Sequence, residues 1–117
     1  MIPVEIILLI LSVHFVADFI LQSDWQAKNK SVSNKALSLH VLTYTSVWAV
    51  VLSSAGAKGF LFAAINGFLH FLVDFVTSRV NKRLWSAGRT HDFFVGVGLD
   101  QLVHYICLFL SYILIFQ

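Results

Sequence analysis

Asn66, His70 and Asp74 stand four residues apart in the stretch Asn66-Gly67-Phe68-Leu69-His70-Phe71-Leu72-Val73-Asp74-Phe75. On a helix this spacing stacks all three on one face, each about 6 Å along the axis from the next. The string His14-Phe15-Val16-Ala17-Asp18-Phe19 repeats the His-Phe-x-x-Asp-Phe pattern 56 residues earlier. Asp100-Gln101-Leu102-Val103-His104 is the same pair in reverse. One buried His-Asp pair is often a tie between helices. Three in 117 residues describe a constructed site.

Carboxylates together with imidazoles suit zinc, iron, manganese and similar ions. The candidate ligands are His14, Asp18, His40, His70, Asp74, Asp100 and His104. They would hold one or two divalent ions, zinc first, with iron or manganese as alternatives. Gln22, Tyr44, Asn66 and Gln101 read as supports that orient those ligands. His91, beside Asp92, and Asp100 are the candidates for a catalytic base. No serine nucleophile motif and no phosphate loop is present.

Four apolar segments carry these residues. The first runs from about Pro3 to Gln22, with Pro3 suited to a first helical turn. It lacks a basic leader and holds His14 and Asp18, so it reads as a retained helix rather than a cleaved signal. The second runs from about Ala36 to Ser53, capped by Ser33 or Asn34, with His40 and Tyr44 one turn apart. The third, about Phe60 to Ser78, holds the central stretch and ends in a basic loop, Arg79 to Arg89. The fourth spans about Asp92 to Phe116, its spanning part Leu99 to Phe116 after the glycine-broken start Val95-Gly96-Val97-Gly98. Between the first two, Ser23 to Lys30 reads as a polar loop at a lipid–water boundary, marked by Trp25 and Lys28.

The composition is 58% hydrophobic and 12% charged, against roughly 25% charged in a soluble domain. Mean hydropathy is +0.81. Each segment has about the 17–25 residues that cross a bilayer core, and nothing alternates with the period of a barrel strand. The expectation is an all-α polytopic membrane protein: a four-transmembrane-helix bundle, one domain over residues 1–117. Residues 1–58 and 59–117 would form two tandem helical hairpins related by a pseudo-twofold axis along the membrane normal. The net charge of +2 is too small to argue for nucleic acid. Cys107, the one cysteine, reads as a small buried apolar residue.

An aspartate at mid-membrane costs about 2.5–3.5 kcal/mol, so the three must face inward and be compensated. Arg and Lys are absent from the spans, which leaves protonation, histidine, water or a bound ion as the expected compensation. Chain direction puts Asp18, Asp74 and Asp100 toward one side, with His14, His70 and His104 one turn deeper. His40 should fall near the aspartates, with Tyr44 beneath it.

The strings His14-Phe-Val-Ala-Asp18-Phe-Ile-Leu-Gln22 with Trp25 and Lys28, Leu39-His40, Asn66-x-x-x-His70-Phe-x-x-Asp74, His91-x-Phe-Phe94 and Asp100-Gln101-x-x-His104 together resemble a domain-of-unknown-function family of small bacterial and phage inner-membrane proteins. The resemblance covers nearly the whole chain. It implies a four-helix integral membrane protein and brings no activity. A looser similarity is to membrane-bound metal-dependent hydrolases, whose intramembrane His and Asp residues are thought to bind metal.

The function that follows as an expectation is a metal-dependent hydrolase acting on a lipid or lipid-linked substrate from the cytoplasmic leaflet. Its alternatives are a proton or divalent-cation transporter, and a non-enzymatic or haem-binding membrane protein. A homo-oligomer is compatible with the apolar faces. Seven of eight basic residues fall in the loops Ser23–Lys35 and Arg79–Thr90. The positive-inside rule makes those loops cytoplasmic and both termini outer. Arg79, Lys82 and Arg83 would ring the mouth and attract anionic headgroups.

Overall fold

Pro3 lends its carbonyl to the amides of Ile6 and Ile7 and starts the first helix. The structure, a computed structural model, describes residues 1–117. It holds five α-helices and no strand: α1 (Val4–Phe15), α2 (Asp24–Asn29), α3 (Asn34–Val51), α4 (Ala57–Ser86) and α5 (Thr90–Phe116). A π-helical turn, Val16–Ile20, continues α1. Such turns widen a helix by one residue and recur at functional sites; this one carries Asp18.

The polar stretch expected as a loop forms α2. Ser23 accepts from the Gln26 amide, and the Gln26 side chain accepts from the Ser23 amide, a capping box that nucleates this short helix. Ser33 caps α3 through the Ala36 amide, as the sequence predicts. Gly56, with φ of +62°, turns the chain from α3 into α4, and Gly88, with φ of +72°, turns it from α4 into α5. Positive φ at both sites favours glycine.

α4 runs eight residues past the expected end at Ser78, to Ser86. The basic stretch holds no helix breaker before Gly88, so charge there changes the surroundings and not the backbone. At about 1.5 Å per residue, the helix accounts for the molecule's long dimension of 44 Å. Gly96 and Gly98 likewise do not interrupt α5. A Cβ on Gly96 would collide with Asn81 Oδ1, and one on Gly67 with Thr45 Oγ1. The missing side chains let α5 and α3 approach α4 closely.

α4 is the central helix, packed against α3 and α5. Its basic end lies beside the start of α3, where Arg79 donates to Asn34 Oδ1 at 2.9 Å. The apolar core lies at the other end: Ile10, Trp48, Phe62 and Leu108 are each at most 2% exposed. Of the 20 buried residues, eight are polar or charged, while Phe15, Leu42, Phe68, Leu99, Leu102 and Leu110 face outward. Two helices, α4 and α5, are long and apolar enough to cross a membrane.

Candidate metal centre

The i, i+4 stripes deliver their side chains to one place because α4 presents His70 and Asp74 on its buried face and three neighbours converge on it. Asp18 comes from the π-helical turn, His40 from α3, and His104 and Asp100 from α5. Donor atoms of Asp18, His40, His70 and Asp74 all lie within 4.8 Å of one another, and all four residues are buried.

The separations are regular. His40 Nε2 is 2.9 Å from Asp18 Oδ1 and 3.5 Å from Asp74 Oδ2. His70 Nε2 is 3.3 Å from each of the same oxygens. The two Nε2 atoms are 3.1 Å apart. An ion with about 2.0 Å bonds in a tetrahedral site separates its ligands by about 3.3 Å. Five of the six separations among these atoms are therefore near those of a tetrahedral ligand set, and the four residues could hold a metal ion.

A second group adjoins the first. Donor atoms of Asp18, Asp100 and His104 also lie within 4.8 Å of one another. Asp74 joins the groups: its Oδ2 faces His40 and His70, and its Oδ1 lies 3.0 Å from His104 Nε2. The contact pattern repeats across the halves, His40 on Asp18 in the first and His104 on Asp74 in the second.

His14, expected among the ligands, stands behind them. Its Nδ1 is 3.0 Å from the Tyr44 hydroxyl and its Nε2 is 2.8 Å from Gln101 Oε1. The Gln101 amide donates to Asp18 Oδ2 and Asp100 Oδ2. Two carboxylates at Nε2 fix the orientation of that amide, so Oε1 must accept from His14 Nε2–H. Nδ1 then accepts from Tyr44. Both ring nitrogens are engaged, and His14 supports the carboxylates through Gln101 and through its own Nε2, 3.5 Å from Asp18 Oδ2.

Of the four expected supports, Gln101 bonds two carboxylates and Tyr44 bonds His14, while Gln22 and Asn66 hydrogen-bond none of the candidate ligands. Asn66 donates to Ser111 Oγ and to the Phe62 carbonyl, tying α4 to α5 one turn deeper. Gln22 lines the cavity described below, its Oε1 buried without a partner.

Lys30 corrects the expectation that only histidine is available to the aspartates. Its side chain reaches in from the turn after α2, and Nζ donates to Asp74 Oδ2 at 2.9 Å. Burial disfavours its charge, but the carboxylates of Asp74, Asp18 and Asp100 outweigh that and hold its pKa above the usual lysine range. Thr77, one turn beyond Asp74, donates to Asp100 Oδ1. Both were signalled in part: the Ser23-x-x-Gln26 capping box turns the chain back, and Thr77 continues the Asp74 face.

The aspartates form the floor of a cavity of about 470 Å³. Asp18, Asp74 and Asp100 line it and the histidines do not, which is the expected layering. Lys30, Lys82, Ser78 and Asn81 supply polar wall, and Phe19, Trp85, Phe93 and Phe94 apolar wall. Of the expected basic ring only Lys82 joins it. Arg79 and Arg83 lie roughly 130° and 170° round α4 from the lining face, at about 100° per residue. Arg79 instead stacks on Phe75. His91 is exposed in the first turn of α5, roughly 120° from the centre of the face that carries Phe93, Phe94, Val97, Asp100 and Gln101. It is not brought to the carboxylates.

A protein family described as "Protein of unknown function (DUF3307)" matches residues 6–117. The chain belongs to this family. No curated protein and no solved structure matches it. For this DUF3307 chain the chemistry therefore rests on the site itself: a buried Asp/His cluster that could hold a metal ion, beside a cavity with polar and aromatic walls.

Proposed function

We propose that this DUF3307 chain is an intramembrane metal-dependent hydrolase acting on a lipid or lipid-linked substrate from the cytoplasmic leaflet. One observation carries the reading. The carboxylates that face His40 and His70 on one side face an open cavity on the other. A purely structural ion site is closed on every side, whereas an ion held by these four residues would have the cavity beside it, from which a water or substrate oxygen could enter as a fifth ligand.

The residues fit the ion. Asp18, His40, His70 and Asp74 would hold it, zinc by ligand type and spacing, and Asp100 with His104 would take a second. Such an ion lowers the pKa of a water and polarises a phosphoryl or carbonyl oxygen. With one ion bound at the first group, Asp100 would be free of metal; it lines the cavity with its oxygens held by Thr77 and Gln101, placed to take a proton from water. With His91 on another face of α5, Asp100 carries that role alone.

The membrane reading is supported by the polar interior and the apolar outer surface of the bundle. α1 with its π turn and the 18-residue α3 each have about the length of a span. The hydroxyls that lower the hydropathy of α3 are returned to its own carbonyls: Thr43 to Leu39, Thr45 to Val41 and Ser46 to Leu42. In this reading the chain makes four spans of the inner membrane, as two hairpins related by a pseudo-twofold axis. The termini are outside and the cavity opens to the cytoplasm.

Transport is disfavoured by the apolar plug of Ile10, Trp48, Phe62 and Leu108, which leaves no polar path beyond Asn66 and Ser111. A haem held by His40 and His70 is disfavoured because their Nε2 atoms stand 3.1 Å apart, with no room for a macrocycle between the rings.

The test is turnover by the purified protein in mixed micelles, reloaded with zinc. Phosphate release from a lipid phosphate, lost in Asp100→Asn and His70→Ala and on chelation, is the expected result. Zinc-loaded wild type that hydrolyses neither phosphate nor carboxylic esters would sink the hydrolase reading.

A further inference from the structure

The cavity's floor and wall have opposite needs. Three carboxylates on the floor need cations, while the wall carries donors that have no acceptor in the protein. Lys30 Nζ has three N–H groups and a single protein acceptor, Asp74 Oδ2. Its side chain is 19% exposed and the residue lines the cavity, which leaves the remaining donors that space to bond into. Ser78 Oγ is buried in the same wall without a partner. Lys82 lies one turn further out on the same face of α4. Beyond these donors the wall turns apolar at Trp85, Phe93 and Phe94.

We infer that Lys30, with Ser78 and Lys82, forms an oxyanion subsite that takes the phosphate of the substrate, and that the aromatic wall takes its apolar chain. This deepens the proposed hydrolase function and rests on it for the metal, but the subsite is built from the chain's own donors. The order of groups is the argument. Carboxylates lie deepest, where an ion would sit. Lys30 lies next, bonded to a carboxylate that faces the ion. Lys82 lies outside it, and the aromatic side chains follow at the mouth. A phosphate at the floor of the cavity would take charge-assisted hydrogen bonds from Lys30 through its non-reacting oxygens, and an ion held by the carboxylates would supply the other positive charge. Arg79 and Arg83, on the other faces of α4, have no part in it.

The probes are inorganic phosphate, and phosphatidate in nanodiscs against phosphatidylcholine nanodiscs. Binding is measured on the detergent-purified full chain, with zinc content determined on the same samples. Lys30→Gln should weaken phosphate binding by at least about 10-fold, the loss of one charge-assisted hydrogen bond, with zinc content unchanged. Lys30→Arg should restore binding, which a merely structural role would not do. Lys35→Gln, outside the cavity, should match wild type. Phosphatidate preferred over inorganic phosphate assigns the subsite to a lipid headgroup; equal binding assigns it to phosphate alone. Phosphate affinity unchanged in a folded Lys30→Gln protein overturns the inference, as does a wild type that binds neither probe. If wild type holds no zinc, the hydrolase reading falls, and the phosphate titration of Lys30→Gln still decides the subsite.

Discussion

His40 Nε2 and His70 Nε2 face each other across 3.1 Å, while Nδ1 of each ring is buried without a partner. Two N–H groups cannot both point along so short a line, so at least one nitrogen presents a lone pair. Both rings direct their engaged nitrogen to the space between Asp18 and Asp74. Four donors from three parts of the chain meet where a cation satisfies them all.

Loss of a ligand should cost more than loss of a support. His70→Ala and Asp74→Asn should lower zinc affinity beyond the roughly 10–100-fold typical of a supporting residue. Elemental analysis of detergent-purified protein and competition with a chelator measure it. Wild-type zinc content in folded His70→Ala would remove His70 from the ligand set.

Gln101 links His14 to both Asp18 and Asp100. Gln101→Leu should therefore weaken zinc by about 10–100-fold without abolishing it. His14→Ala should fall in the same range, since it acts through Gln101. A His14→Ala loss as large as that of His70→Ala would return His14 to the ligands.

The glycines separate packing from propensity. A Cβ on Gly59 would run into the Leu52 carbonyl, whereas one on Gly98 meets nothing. Gly59→Ala should destabilise by about 1–3 kcal/mol from overpacking, offset by up to about 1 kcal/mol of helix propensity. Gly98→Ala should gain that propensity alone. Thermal unfolding in detergent should give a lower Tm for the first and an equal or higher Tm for the second. The reverse order would mean that α3 and α4 do not meet at Leu52.

Orientation is testable with cysteines at Lys28 and Ala57, both exposed, in a Cys107→Ser background. An impermeant thiol reagent added to intact cells should label Ala57→Cys and spare Lys28→Cys. Labelling of Lys28→Cys alone would invert the topology and turn the cavity outward.

The sequence by itself determined the four long helices, though not their full extent, and the layering of the site. Apolar runs without breakers give a helix whatever its neighbours are. The four-residue spacing of His70 with Asp74, and of Asp100 with His104, puts each pair on one face through the helical period alone. Chain direction then places the aspartates on one level. The tertiary structure decided which of these atoms meet. His14 carries the same motif as His70, yet Tyr44 and Gln101 from other helices occupy both its nitrogens. His91 and Arg83 lie near the site in sequence and off it in space, because the helix continues where a loop was expected. Lys30 lies outside the apolar segments and reaches the centre because its long flexible side chain extends in from the turn that follows α2. Period fixes a residue's face within one helix. The contacts of a side chain across helices depend on interhelical approach and side-chain reach, which no local pattern encodes.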